Sequence, residues 1–226
     1  MLKYNYDLSN YDYSLSFDLA KHTTGWALVD IKNHRVIMSG TIIVKESPDS
    51  VWDDLYRQIV AAIQQTQERC LIEQKAFFVV KEKLPNQVGA FTTIASLQAL
   101  AQTHAVWELA CVHTGAEVYD FEGVHAVSVK AFFKRQYGID KPQKEDIARC
   151  VEMKYSFQTP PTSMDITDAV AVVQTLTDYK WNADIEEHIK QLKKDLKKYK
   201  SPKKITEITD AIENVQRLLI SDIGGK

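Results

Sequence analysis

Leu15, Phe17 and Leu19 alternate with Ser16 and Asp18, the two-residue period of a strand with one face buried. A second β segment, Gly25-Trp26-Ala27-Leu28-Val29, follows the short polar link 21–24. A third, from Val36 to Val44, follows the turn-like Lys32-Asn33-His34. Three β segments in series at this spacing predict an antiparallel meander. The period then changes. Trp52, Leu55, Tyr56, Ile59, Val60 and Ile63 recur at helical spacing behind the start signal Ser47-Pro48-Asp49. Residues 76–80 form a continuous apolar run, as in a strand covered on both faces, which ends in Lys81-Glu82-Lys83. A helix over about 92–110, a strand around 118–121 and helices over about 127–137, 143–155 and 164–180 complete the pattern. The order βββαβαβα followed by more helices predicts an α/β domain with a mixed sheet and helices on its faces.

Beyond residue 181 a different pattern begins. Ile185, Ile189, Leu192, Leu196 and Tyr199 step by 4, 3, 4 and 3, and Ile205, Ile208, Ile212, Val215 and Leu219 step in the opposite phase. Ser201-Pro202 can stop one helix and open the next. This predicts an antiparallel helical hairpin of coiled-coil type, with eight lysines against Asp195 between positions 190 and 204. The expected organisation is a leader over 1–13, the α/β domain over 14–181 and the Lys-rich hairpin over 182–226.

A chain of 226 residues, 45% hydrophobic and 10% aromatic, can bury one sizeable core and is not a disordered chain. Its formal net charge of -2 means that any nucleic-acid binding must come from local basic surface. Cys70, Cys111 and Cys150 are odd in number and contain no C-x-x-C pair, which fits a reduced protein without structural zinc. The polar, tyrosine-rich start and the lack of any apolar window of about 18 residues lead us to expect a cytoplasmic protein with no membrane association.

Four acids sit at positions where chemistry is often placed. Asp18 lies on the face of its strand opposite Phe17 and Leu19. Glu82 closes an apolar strand, and ligands gather just beyond strand ends in open α/β sheets. Asp165 and Asp168 are three apart at the start of a helix, which puts both on one side. Each has an ordinary alternative: a surface acid, a strand returning to solvent, or first-turn acids favoured by the helix dipole. Together they form a candidate site for Mg²⁺, a hard ion that takes oxygen ligands. Two such ions roughly 4 Å apart can clamp a phosphodiester. The six histidines form no H-x-x-x-H pair and no serine sits in a G-x-S-x-G elbow, which argues against zinc or acyl-enzyme hydrolysis.

The residues around these acids resemble the RuvC family of Holliday junction resolvases, in particular its phage-encoded branch. Phe17-Asp18-Leu19-Ala20-Lys21-His22-Thr23-Thr24-Gly25-Trp26 is similar to that family's aspartate strand with its Thr-Gly turn. Residues 78–82 are similar to the strand bearing the catalytic glutamate, and Asp165-Ile166-Thr167-Asp168-Ala169 to the late Asp-x-x-Asp-Ala helix. The resemblance spans roughly residues 14–180. It implies an RNase H-like fold with a five-stranded mixed sheet, and a Mg²⁺-dependent endonuclease with two ions per site, Mn²⁺ being an alternative. Asp18, Glu82, Asp165 and Asp168 would hold the ions, with Asp18 bridging both, and Lys144 would support the charged transition state.

The implied substrates are four-way junctions and forks, cut to leave a 5′-phosphate and a 3′-hydroxyl by a homodimer, in the bacterial host's cytoplasm if the protein is phage-encoded. Lys130, Lys134, Arg135 and Lys83 are candidate DNA contacts. The sequence departs from the family in two places. The position three after Glu82, often Phe in the family, is Pro85, which leaves Phe91 either to stack on a base or to face the core. The family's glycine-bearing turn after the first aspartate is replaced by Leu19-Ala20-Lys21. Two alternatives stay open: a catalytically silent DNA-binding homologue, and a fragment of the actin and heat-shock ATPase fold. Thr24-Gly25 is also similar to that fold's phosphate turn, although 8 glycines and no second phosphate turn argue against it.

Overall fold

In the computed structural model, which describes residues 8–44, 51–84, 93–120 and 123–178 and the single positions 194, 206 and 209, the sequence pattern resolves into a five-stranded sheet. Strands β1 (Tyr13–Asp18), β2 (Thr23–Asp30) and β3 (Arg35–Ile43) form the expected antiparallel meander. Strand β4 (Phe77–Lys81) pairs with β1 in parallel, so the spatial order is β4-β1-β2-β3-β5.

The fifth strand is not the one the sequence pattern predicts. The described part of the stretch expected as a strand, residues 118–120, forms none. Val118 and Val124 make isolated parallel bridges to Val79 and Glu82 along the outer edge of β4. Between them Gly123 adopts φ +83°, and a Cβ there would lie 2.5 Å from the Lys81 carbonyl oxygen, so this edge is bent and not a ladder. The sheet's fifth member is instead β5 (Ser156–Phe157), two residues paired in parallel with Arg35 and Val36 of β3. A strand of two residues is too short to produce a period.

One face of the sheet is covered by α1 (Val51–Glu73) and α2 (Ile94–Thr114), which bury Leu15, Phe17 and Leu28 against Leu55, Ile59, Ile63 and Trp107. Phe17 meets the Trp107 ring edge-on at 6.3 Å. α2 is opened by Thr93, whose hydroxyl accepts from the Ser96 amide, and closed by left-handed Gly115.

The opposite face of β1 is polar in sequence but not wet. Ser14 and Ser16 are fully buried, and the Ser16 hydroxyl donates to the Ala27 carbonyl. The alternation at 14–18 marks a face of small side chains under a helix, not a solvated face. That helix is α5, residues 164–178, with Ile166, Ala169, Val170 and Val173 buried. Helix α3 (Ala126–Tyr137) joins it through a Gln174 amide to Tyr137 hydroxyl bond of 2.6 Å, and α4 (Lys144–Lys154) leads into β5. No helix among the described residues is long and apolar enough to cross a membrane.

The chain separates into two units, Met1–Thr175 and Leu176–Lys226. The sheet and the acidic residues belong to the first. In the second, α5 ends its described course at 178 and Lys194, Thr206 and Thr209 are helical; the rest of the expected hairpin lies outside the described residues.

Gly25 of β2 is where α5 touches the sheet. A Cβ placed there would lie 2.2 Å from both the carbonyl carbon and oxygen of Asp165. Gly25→Ala should therefore push the helix off the strand and cost about 1–3 kcal/mol of stability, read as a lower urea midpoint at unchanged slope. A midpoint equal to wild type would mean that the contact is soft.

Candidate metal centre

Asp18 is the last residue of β1 and stands opposite Gly25 of β2. The link between the two strands, 19–22, is held by buried Thr24, whose hydroxyl donates to the Ala20 carbonyl at 3.0 Å and accepts from the Ala20 amide at 3.2 Å. Thr23, Thr24 and Gly25 are thus strand residues, and a threonine hydroxyl secures a turn that has no glycine. Parallel pairing of β1 with β4 sets Phe17 against Lys81, and the Glu82 amide donates to the Phe17 carbonyl at 3.2 Å. This register brings Glu82 level with Asp18 on the same face. Glu82 is bridged on its other side by Val124 and is only partly exposed, so it is not a strand end returning to solvent.

Asp165 and Asp168 occupy the first turns of α5, whose backbone rests on Gly25 beside Asp18. As a result one carboxylate oxygen from each of Asp18, Asp165 and Asp168 lies within 4.8 Å of the other two. Glu82 stands at the margin of this group, close enough for its charge to act on Asp18 and to feel Asp168.

Crowding and burial make Asp18, Glu82 and Asp168 reluctant to ionise. Burial, with the charges of Glu82 and Asp168, pushes Asp18 up to about 7. Burial and the Asp168 charge push Glu82 up to about 7, against the opposing pull of Lys144 and Lys130. Asp168 is also raised by burial, although Lys144 works the other way. Lys144, the first residue of α4, places its Nζ 2.6 Å from Asp168 and 3.8 Å from Asp165. Burial disfavours its charge, but the bond to Asp168 and the surrounding carboxylates outweigh that and raise its pKa.

Four carboxylates therefore face one paired ammonium and a second cation, Lys130, at longer range. The oxygen donors and the surplus negative charge fit a hard divalent cation.

The remaining candidate residues are more dispersed. Lys130 is exposed on α3. Lys134 is tied to Asp140 at 2.5 Å in an exposed pair of little energetic weight, and Arg135 is exposed beside it. The Lys83 amide donates to the Val124 carbonyl, which fixes its backbone next to Glu82. Phe91 and Pro85 lie outside the described residues.

One charged residue sits where the sequence pattern does not put it. Lys81, within the polar end of β4, is 1% exposed on the face away from the acids. Its Nζ lies 2.8 Å from Glu108 and 4.6 Å over the Trp107 ring. Alternation places it there: Glu82 faces the acids, so its neighbour must face α2. The apolar run before it obscured this signal.

No protein-family model and no curated protein matches the chain. Among solved structures, it is similar to RuvC of Thermus thermophilus in complex with Holliday junction substrate, with a TM-score of 0.52 and 13% identity over 72% of this chain and 90% of that one. A second Thermus thermophilus RuvC structure matches with a TM-score of 0.53 and 13% identity over 75% of this chain and 96% of that one. At this identity the likeness speaks to architecture: the mixed five-stranded sheet flanked by helices is the RuvC type of RNase H-like fold.

Proposed function

We propose that this protein is a Mg²⁺-dependent endonuclease that cuts branched DNA, Holliday junctions among its substrates. The observation that carries the reading is the convergence of Asp18, Asp165 and Asp168, with Glu82 level beside them, on a fold similar to one solved with a Holliday junction. In this reading the four carboxylates hold two divalent ions. When bound, such ions supply Lewis-acid activation of water and neutralise charge on the scissile phosphate.

The chain's own residues do the rest. Asp18, fixed between β2 and β4, lies with Glu82 on one side and the Asp165/Asp168 pair on the other, and would hold divalent ions together with them. Lys144, more than half exposed and anchored to Asp168, offers its ammonium to charge developing on the phosphate. Lys130, Lys134, Arg135 and Lys83 position the DNA backbone, and Phe91 is a candidate to stack on a base. The products are a 5′-phosphate and a 3′-hydroxyl. A catalytically silent homologue is disfavoured by the cost of the cluster, because a protein that only binds DNA gains nothing from buried acids that repel one another.

A four-way junction has two-fold symmetry, and a homodimer presents two matching sites. Support for a dimer comes from α2, which carries large apolar side chains on its exposed side as well as on its buried one. Ile94, Leu109 and Val112 are 72%, 60% and 68% exposed, and with Gln98, Ala101 and Ala105 they form one stripe along the helix. Residues 182–226 are proposed as a Lys-rich helical hairpin appended to the nuclease domain.

Asp18→Asn should abolish Mg²⁺-dependent cleavage of a synthetic four-way junction, a drop of at least about 1,000-fold, with binding nearly unchanged; residual cleavage near the wild-type rate refutes the proposed chemistry.

The raised acids also predict a pH effect on stability. In the unfolded chain these groups titrate near 4, and in the fold Asp18 and Glu82 titrate at about 7. Folding thus takes up protons between those values, so metal-free stability is full below about pH 4 and falls as the pH rises through 7. At pH 8 Mg²⁺ should raise Tm by several degrees. Asp18→Asn should raise the metal-free Tm at pH 8 and lose that advantage toward pH 4; equal gains at both pH values would show that the acids do not repel as described.

Replacing both Leu109 and Val112 by Glu should raise the dimer dissociation constant about 100-fold, equivalent to about 3 kcal/mol, measured by analytical ultracentrifugation. Unchanged association would move the interface elsewhere.

A further inference from the structure

At the open edge of the sheet, along β3, lies a cavity of ≈ 390 Å³ that the cleavage chemistry does not use. It exists because β5 pairs only with Arg35 and Val36 of β3, so the strand from Ile37 to Ser39 borders an open space between α1 and the segment 158–162. Its volume is within the range of ligand pockets, about 300–1,000 Å³, and accommodates a nucleobase with its sugar.

The lining selects among ligands. Trp26 supplies a flat aromatic wall. Its cross-strand partner is Gly40, and a Cβ at Gly40 would lie 2.8 Å from the indole nitrogen, so the ring lies across that glycine and is held in place from below. Arg69 is the one charged residue of the lining. Its Nη2 is occupied by Glu73 at 2.8 Å, while its buried Nε has no hydrogen-bond partner among the described residues. Gln65, Gln158, Thr159 and Thr162 add exposed amides and hydroxyls, groups that both donate and accept. Among the described residues no carboxylate lines the space, and its single cation, Arg69, is paired with Glu73, so the lining there is that of neither a metal site nor a phosphate site. A stacking wall with neutral donors and acceptors suits a planar, uncharged heterocycle with hydrogen-bonding edges.

Its position suggests where that heterocycle comes from. Trp26 follows Gly25, which touches the Asp165 backbone. Thr162 precedes Asp165 by three residues, at most about 11 Å of chain. The pocket and the acidic centre are thus built on the same two elements, β2 and the start of α5.

We propose that this cavity receives one unpaired base of the DNA substrate, next to the nucleotide whose phosphate is cut. The proposal rests on the nuclease reading above. It makes the enzyme sensitive to one base near the crossover, through Trp26 stacking and hydrogen bonds from the exposed side chains of Gln65 and Gln158.

The test is an abasic walk. Four-way junctions of one sequence are made with a single abasic residue moved nucleotide by nucleotide through the strands at the crossover, and affinity is measured by fluorescence anisotropy in EDTA. Wild-type protein should lose about tenfold in affinity at one position and no more than about twofold at the others. The double variant Gln65→Ala, Gln158→Ala changes two exposed side chains and should fold with an unchanged Tm. In it the single-position penalty should vanish.

A flat walk in the wild type, or a penalty that survives in the double variant, overturns the pocket. The same junctions in Mg²⁺ separate the two claims. Cleavage with a flat walk removes the pocket and leaves the nuclease, whereas a single-position penalty without cleavage does the reverse. Absence of junction binding removes both.

Discussion

The approach of the α5 backbone to Gly25 is the contact on which the acidic centre depends. A helix carrying Asp165 and Asp168 on its first turns can reach Asp18 only if its backbone comes within van der Waals distance of the neighbouring strand, and a Cβ at Gly25 would occupy the space of the Asp165 carbonyl. The small buried residues beside it, Ser14, Ser16 and Ala27, belong to the same requirement, because the helix lies over that face. Thr24 closes the turn below Asp18 and so fixes the end of β1 without a glycine in the loop. Glu82 arrives by a separate route, through the parallel register of β1 and β4. Two backbone constraints thus bring together acids separated by up to 150 residues of chain.

This arrangement is costly to the protein alone. Asp18 is pushed up to about 7 by burial and the charges of Glu82 and Asp168, Glu82 to about 7 by burial and the Asp168 charge, and Lys144 compensates only part of this. Evolution tolerates such a cluster where activity requires it and restores stability elsewhere. Here the compensation is visible on the other face of the sheet, where Phe17, Leu15 and Trp107 are fully buried against α1 and α2. Even the charge on that face, Lys81, is satisfied by Glu108 and the Trp107 ring.

Much of the architecture was legible from periodicity alone: the meander, the run at 76–80, the helices around 127–137 and 143–155, and the helix from 164, described as far as 178, form where the spacing puts them. Two kinds of information were not legible. Very short or irregular pairings leave no period, which is why β5 was missed and the stretch around 118–121 was read as a strand. Burial of polar residues also misleads, because Ser14 and Ser16 look solvated in sequence although a helix covers them. For the site, the residue types and their order pointed to a cluster, whereas the level of Glu82 with Asp18 and the place of Lys144 depend on register and helix approach, which only the fold supplies. Apart from Lys194, Thr206 and Thr209, the Lys-rich stretch after 181 lies outside the described residues, as do Pro85 and Phe91.

Alternation along β2 has a last consequence. Gly25 faces the acids and makes room for α5, so Trp26 must face the other side, over Gly40 at the sheet's open edge. A glycine that admits the helix of Asp165 and Asp168 and an aromatic ring that walls a cavity are adjacent because a strand turns successive residues to opposite faces. Any shift of β2 by one residue would exchange them, placing the indole against Asp165 and leaving the cavity without its wall. The register of β1 and β2 therefore fixes the acidic centre and the cavity at once, and neither can be repositioned without the other.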